Sequence, residues 1–151
     1  MTRYSAGFYF RANRSQVVLI EKKRPKWMAG RYNAVGGHVY ADEGFDAAMS
    51  REFEEEAGVL VPCERWKLFA YLEGDDENRG GGRGPFKVAF YFTDAAPLDA
   101  KIRAMTDEVI TIVDVKEVLV DRDLPVMPNL RWLLSMALGP TDDMPFRVFE
   151  S

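Results

Sequence analysis

The chain has 151 residues, of which 47% are hydrophobic and 13% aromatic, which is typical of a globular domain and not of a disordered or fibrous chain. Its formal net charge of -4 argues against long-range attraction to a nucleic-acid polymer or an anionic membrane. A small anionic substrate still suits such a chain if a metal ion supplies positive charge locally. We therefore expect a single domain over residues 1–151.

Few features of the sequence report on its cellular compartment. Cys63 is the only cysteine, so no disulfide can form within the chain, which suits a reducing compartment. No apolar run approaches the roughly 20 residues that span a membrane. Arg11 and Arg14 interrupt the N-terminal segment before an apolar signal sequence can form. We expect a cytoplasmic protein without a membrane partner, either a monomer or a homodimer.

The N-terminal third predicts three strands and a basic loop. Aromatic residues 4–10 and apolar residues 17–20 flank a polar turn and predict a hairpin. The basic run at 21–26 contains a proline that ends any regular element, and it is either a solvated loop or a phosphate-binding segment. A Gly-Gly pair at 36–37 then interrupts a short strand, a pattern that marks close backbone approach or a bulge.

Residues 45–57 predict an amphipathic helix that ends at Gly58. Its buried stripe consists of Phe45, Ala48, Met49 and Phe53. The acidic side chains that stand at i, i+3 and i+4 and share one face are Glu52, Glu55 and Glu56. Glu54 lies on the opposite side, where we expect solvent. Three neighbouring carboxylates repel one another, so this face is either a solvated acidic surface or a site for a hard divalent cation.

The second half of the chain predicts three more strands, over residues 66–72, 86–93 and 109–113. The middle one has little polar interruption, so we expect it at the centre of the sheet. Residues 74–85 are rich in glycine and predict either a flexible connection or a functional lid.

Helical segments and a tail complete the chain. Residues 97–105 predict a short helix, and residues 115–120 predict a short helix or a turn. Residues 129–138 predict an amphipathic helix with Asn129 at its N-cap and a glycine after its end. Residues 146–149 either add an edge strand or stay outside the sheet.

Residues 37–59 contain a motif that is defined by both the residue types and the spacing between them, and it is more specific than an acidic run alone. Their fixed positions are Gly37, Glu43, Arg51, Glu52, Phe53, Glu55, Glu56, Gly58 and Val59. At this spacing they match the whole Nudix box, so the chain resembles the Nudix hydrolase family. The resemblance implies an α/β (α+β) fold, an α/β/α sandwich with a mixed β-sheet. It also implies cleavage of a nucleoside diphosphate linked to another moiety, with Mg²⁺ or Mn²⁺ as cofactor.

The resemblance also implies roles for individual residues. It gives the metal-binding carboxylates as Glu52, Glu55 and Glu56, with the backbone carbonyl of Gly36 as a further ligand. Arg51 is expected to pair with Glu43 and to hold the loop against the helix. The expected catalytic set is therefore Glu43, Arg51, Glu52, Glu55 and Glu56.

A general base is helpful because water must lose a proton as it attacks phosphorus. Glu52 and Glu56 are the candidates within the box. Glu77 in the glycine-rich loop and Glu108 before the last predicted strand are alternatives.

The stretch before the box points to a substrate class. Residues 22–24 and 30–37 resemble the corresponding stretch of MutT-type enzymes that hydrolyse oxidised purine nucleoside triphosphates. This implies a (d)NTP pyrophosphatase that gives a nucleoside monophosphate and pyrophosphate. The expected substrate contacts are Lys23, Arg31, Asn33, Glu108 and Asn129. Asn33 either faces the base or is a turn residue, and Asn129 either contacts the purine edge or only caps its helix.

Two other functions remain open. One is hydrolysis of a different diphosphate, such as a nucleotide sugar, a dinucleotide or a capped RNA end, although the net negative charge argues against long RNA. The other is a non-catalytic nucleotide-binding Nudix module, against which the complete set of box carboxylates argues.

Overall fold

The computed structural model describes residues 1–75, 84–94 and 100–150. The strands in these ranges are β1 (Thr2–Arg11), β2 (Gln16–Glu21), β3 (Tyr32–Asn33), β4 (Val35–His38), β5 (Lys67–Asp75), β6 (Pro85–Asp94), β7 (Val109–Asp114) and β8 (Phe146–Glu150). The helices are α1 (Phe45–Ala57), α2 (Val115–Val120) and α3 (Leu130–Leu138), with one 3₁₀ turn at Cys63–Arg65.

The strands form one mixed sheet in the order β3-β2-β1-β6-β5-β8, with β4 also paired to β1 and β7 also paired to β2. Within the described ranges, strand β1 pairs with three other strands. It runs parallel to β6 along nearly its whole length, while its other edge pairs with β4 first and with β2 near its end. In the pairing with β4, Gly36 lies opposite Ala6 and Gly37 opposite Ser5. The sheet therefore fixes the Gly-Gly pair against the middle of β1.

Alternation along the strands separates two hydrophobic cores. On β1, Phe8 and Phe10 face one core and Tyr9 faces the other, as expected for side chains that alternate across a strand. The core on the Tyr9 face includes Met49 and Phe53 of α1, and the opposite core is covered by α2 and α3. The predicted sandwich of helices around a mixed sheet is confirmed.

Several predicted elements agree with the structure. Strand β6 lies between β1 and β5, so its central position is confirmed, and its side chains from Ala89 to Thr93 are buried. The tail forms strand β8, which runs parallel to β5 at the edge of the sheet. Helix α1 begins and ends at the predicted residues, and Glu54 is exposed as expected.

Two predicted segments differ from the structure. Residues 100–105 have no regular secondary structure, so the helix predicted over 97–105 is wrong there, and residues 97–99 lie outside the described ranges. The reason is that the backbone amides of Arg103 and Met105 donate to carbonyls at the end of α1 and not to carbonyls within their own segment. The glycine-rich loop is shorter than predicted because β5 extends to Asp75 and β6 begins at Pro85. The rest of that loop, including Glu77, lies outside the described residues.

Across the described ranges, no helix is both long enough and apolar enough to cross a membrane.

Candidate active site

Arg51 is the residue around which the candidate site is built. Its Nε donates to Glu43 Oε2 at 2.8 Å and its Nη2 donates to Glu43 Oε1 at 2.9 Å, a bidentate pair. The same Nη2 donates to the carbonyl oxygen of His38 at 2.8 Å. The hydrogen bonds from Arg51 hold the pKa of Glu43 below its ordinary value. Arg51 therefore ties the loop that follows β4 to helix α1, as predicted.

The remaining donors of Arg51 point to the acidic face. Its Nη1 donates to Glu52 Oε1 at 2.9 Å and to Glu55 Oε2 at 3.2 Å, so all five N–H donors of the guanidinium have acceptors. The ring of Tyr40 lies over the guanidinium, 3.9 Å from ring centroid to Cζ. One cation therefore relieves part of the repulsion within the carboxylate cluster and is itself held in a single orientation.

The Gly-Gly pair of β4 lies directly against β1 and α1. A Cβ atom added to Gly37 would lie 2.5 Å from the carboxylate carbon of Glu52. A Cβ atom added to Gly36 would collide with the backbone carbonyl oxygen of Ser5. The predicted close backbone approach is therefore present, and only glycine allows Glu52 to reach the strand.

The first turn of α1 is anchored by two residues that the sequence did not single out. The buried hydroxyl of Ser5 donates to the carbonyl oxygen of Phe45 at 2.7 Å. Arg3 donates to the carbonyl oxygens of Tyr40 at 2.7 Å and Glu43 at 3.3 Å, and its guanidinium lies over the Phe45 ring. A serine and an arginine in a strand carry no local signal for these long-range contacts.

The three carboxylates of the acidic face have different environments. Glu52 is only 9% exposed, Glu56 is half-buried, and Glu55 is exposed. Burial raises the pKa of Glu52, against the opposing effect of the Arg51 hydrogen bond. Burial likewise raises the pKa of Glu56, against the positive charge of Lys22. The face therefore combines two protected carboxylates with one that is open to solvent.

Glu108 lies beside this face, but both of its carboxylate oxygens already accept hydrogen bonds from the basic run. It is 5% exposed, its Oε1 accepts from Lys22 Nζ at 3.0 Å, and its Oε2 accepts from the Lys23 amide at 2.6 Å. Burial alone would raise the pKa of Glu108, but these hydrogen bonds hold it below the ordinary value. Arg24 pairs with Asp107 in the same way, so the basic run is partly neutralised by acidic partners.

The predicted substrate contacts fall into two groups. Lys23 and Arg31 have exposed side chains. Asn33 is half-buried, and its Oδ1 accepts from the Ala34 amide at 2.8 Å. Asn129 stands at the N-cap position of α3, but its side chain makes no capping hydrogen bond.

Strand β3 brings the two asparagines to one region. The Tyr32 amide donates to the Pro125 carbonyl at 2.8 Å, and the Met127 amide donates to the Tyr32 carbonyl at 2.9 Å. Tyr32 precedes Asn33, and Asn129 lies two positions after Met127. The segment before α3 is thereby held next to β3, although the two residues are far apart in sequence.

A model of the NUDIX domain matches residues 1–131. The chain belongs to the NUDIX domain family. A search of curated proteins finds no match.

Solved structures share the Nudix fold of this chain. The mutator MutT protein from Bacillus halodurans has a TM-score of 0.74 at 18% identity, covering 100% of this chain and 91% of that protein. A MutT/nudix family protein from Enterococcus faecalis has a TM-score of 0.63 at 18% identity, covering 75% of this chain and 43% of that one.

A third structure contains ligands. It is a bifunctional NMN adenylyltransferase/ADP ribose pyrophosphatase from Francisella tularensis, complexed with AMP and a Mn ion. Its TM-score is 0.70 at 13% identity, covering 91% of this chain and 41% of that protein. The chain therefore spans less than half the length of this protein and of the Enterococcus protein, and these likenesses show the shared fold.

Nudix hydrolases generally use divalent metal ions, and the donors of this Nudix site suit one. They are carboxylate and carbonyl oxygens, the hard ligands that Mg²⁺ and Mn²⁺ prefer. Gly37 lies against the Glu52 carboxylate, and a larger residue at this position would displace that carboxylate. The glycine therefore keeps it next to the strand. Among the described residues, no three acidic, histidine or cysteine side chains converge on one point at ligand distance.

Proposed function

We propose that this Nudix domain is a metal-dependent pyrophosphohydrolase whose substrates are (d)NTPs, as in MutT-like enzymes. Water attacks phosphorus, the P–O–P bridge breaks, and the products are a nucleoside monophosphate and pyrophosphate. Oxidised purine nucleotides are included in this substrate class. The protein is proposed to act as a single domain over residues 1–151 in the cytoplasm.

One observation carries this proposal. Arg51 uses all its donors to join Glu43, Glu52, Glu55 and the His38 carbonyl. A solvated acidic helix face requires no such scaffold, because surface ion pairs contribute little to stability. The scaffold instead supports a cluster that has a chemical use.

The residues at and around the acidic face are proposed to have different roles. Glu52, Glu55, Glu56 and the Gly36 carbonyl are proposed to hold Mg²⁺, which when bound neutralises phosphate oxygens and favours attack by water. Glu52 and Glu56 are the candidate bases within the box, because both are protected carboxylates on the face where the attacking water must lose its proton. Arg51 and Glu43 keep the helix and loop in register.

Substrate selection is proposed to come from outside the box. Lys23 and Arg31 supply exposed positive charge for phosphate oxygens. The side chain of Asn129 makes no capping hydrogen bond to α3. This side chain and the amide group of Asn33 supply donors and acceptors for a base edge. Tyr32 and its contacts with residues 125–127 hold these two asparagines in one region, which supports a base pocket there.

A second candidate is a nucleoside diphosphate linked to a sugar. The likeness to the Francisella ADP ribose pyrophosphatase favours it, because both chains share the fold across 91% of this one. The same carboxylates would serve both reactions, and only the leaving group differs.

The test is a screen of normal and oxidised nucleoside triphosphates, nucleotide sugars and dinucleotides with Mg²⁺ or Mn²⁺, with product analysis. E55Q should lower kcat on the order of 10²-fold, because it removes one anionic ligand from the metal-binding face. E54Q is the matched control, since Glu54 is exposed on the same helix and lies off that face.

Intact triphosphates under all these conditions would overturn the first candidate, and cleavage of nucleotide sugars alone would select the second. Equal activity of E55Q and the wild type would remove Glu55 from the proposed metal set.

A further inference from the structure

Residues 103–108 form a strap that is bonded on one side to the end of α1. The Arg103 amide donates to the Ala57 carbonyl at 3.1 Å, and the Met105 amide donates to the Glu56 carbonyl at 3.1 Å. These carbonyls belong to the last turn of the helix, where no intrahelical donor remains. The strap therefore follows the end of the helix that carries Glu56.

The other side of the strap is bonded to the basic segment 22–24. Glu108 accepts from Lys22 Nζ at 3.0 Å and from the Lys23 amide at 2.6 Å. The second link is the ion pair of Arg24 with Asp107, whose side chains are 62% and 58% exposed. Exposed pairs contribute little, whereas a buried carboxylate with two charge-assisted hydrogen bonds holds its partners firmly. Glu108 is therefore the stronger of the two links.

The strap thus connects the acidic face to a positively charged segment that is distant in sequence. The Glu108 amide donates to the hydroxyl of Thr106 at 3.2 Å, so the residue that holds Lys22 also contacts the turn beside Glu56. The hydroxyl of Thr106 donates to Glu56 Oε2 at 3.4 Å, a weak contact on the same side. The relative position of Glu56 and the two lysines depends on how the strap is held.

We propose that Glu108 is a positioning residue, which fixes Lys22 and the backbone of Lys23 near Glu56 so that the basic segment meets the phosphates of a substrate bound at the acidic face. The substrate part of this inference rests on the proposed function. Glu108 does not act as the general base in this arrangement. Both of its oxygens already accept hydrogen bonds from the basic segment, and these bonds serve to hold that segment.

Amide hydrogen exchange of the substrate-free protein tests the link directly. E108A should speed exchange at the Lys23 amide by about tenfold or more, because that amide loses its acceptor. E108Q should have a smaller effect, since its carbonyl can still accept from Lys23 while its NH₂ group opposes the Lys22 ammonium. D107N is the matched control from the same turn and should leave that amide unchanged. Protection of Lys23 that is equal in E108A and the wild type would overturn the proposal.

Kinetics separate positioning from catalysis. With a substrate found in the screen, E108Q should raise KM by about tenfold while kcat stays within about threefold, and the pH profile of kcat should keep its shape. Loss of kcat on the order of 10³-fold, with the acidic limb of that profile removed, would make Glu108 the base and overturn the proposal. If the wild type cleaves no substrate, the proposed function fails, and the exchange result alone still decides whether Glu108 holds the segment. Thermal melts establish that each variant is folded.

Discussion

At the scale of single residues, two adjacent glycines serve different purposes. Gly36 lies against the backbone of β1, where a Cβ would meet the Ser5 carbonyl oxygen, and backbone cannot move aside cheaply. Gly37 lies against the end of the Glu52 side chain, which can rotate away. The first glycine is therefore required by the fold and the second by the position of a carboxylate.

These two positions give contrasting predictions. G36A should lower the free energy of unfolding by about 1–3 kcal/mol, because the sheet must shift to admit the methyl group. G37A should cost no more than about 1 kcal/mol, yet lower kcat on the order of 10²-fold by displacing Glu52. Denaturant unfolding and steady-state hydrolysis measure the two effects.

The outcome that contradicts this interpretation is specific. If G37A loses as much stability as G36A while keeping its activity, Glu52 is not held in a functional position by the strand.

At the scale of elements, two helices end at glycines for different reasons. Gly58 after α1 has φ 76°, a left-handed conformation that favours glycine, and its amide donates to the Glu54 carbonyl at 3.0 Å. Gly139 after α3 has φ -79° and ψ -177°, an extended conformation that any residue can adopt. The sequence marks both as helix stops, and only the backbone conformation distinguishes them.

Alanine substitution separates the two helix ends. G58A should lower the free energy of unfolding by about 1–2 kcal/mol, because the left-handed conformation is strained for a residue with a Cβ. The added methyl group would also lie 3.1 Å from the sulfur of Met105. G139A should leave stability unchanged or raise it by up to about 1 kcal/mol, since alanine restricts the unfolded chain. Equal losses in the two variants, measured by thermal or denaturant unfolding, would contradict this assignment.

At the scale of the whole molecule, the elements around the acidic face are all anchored on the sheet. Helix α1 packs through Met49 and Phe53 on one core, and α2 and α3 cover the other. Arg51, the strap and the basic segment then join β2, β4, α1 and β7 around the carboxylates. Because β2, β4 and β7 belong to one sheet and α1 packs on it, a ligand bound at the face stabilises the entire domain against unfolding.

Metal binding should therefore be visible without any substrate. Adding Mg²⁺ to a hundredfold excess over its Kd should stabilise the wild type by about 2.7 kcal/mol, seen as a higher Tm. E55Q should show a smaller rise, and E54Q the full rise, with KCl at equal ionic strength as the salt control. A rise in Tm that is the same in all three proteins would place the metal elsewhere.

Much of the fold and part of the site could be predicted from local pattern. The helical spacing of Ala48, Met49 and Phe53 predicted both the extent and the buried face of α1, because periodicity reports which side of an element meets the core. The box residues likewise predicted the Arg51–Glu43 contact. The prediction of a helix over 97–105 was wrong in its described part, because the amides of residues 103 and 105 donate to carbonyls of α1 and not to carbonyls within their own segment.

By itself, the sequence determined the family, the helix with its acidic face and the order of most strands, since these depend on residue identity and short-range spacing. Only the tertiary structure decided which partners each side chain has. Glu108 and Lys22 are 86 positions apart, and Arg3 and Glu43 are 40 apart. No local pattern records such pairs, because they form only when β2 pairs with β7 and β1 with β4. The sheet thereby sets the surroundings of the carboxylates that the sequence had already placed on one face.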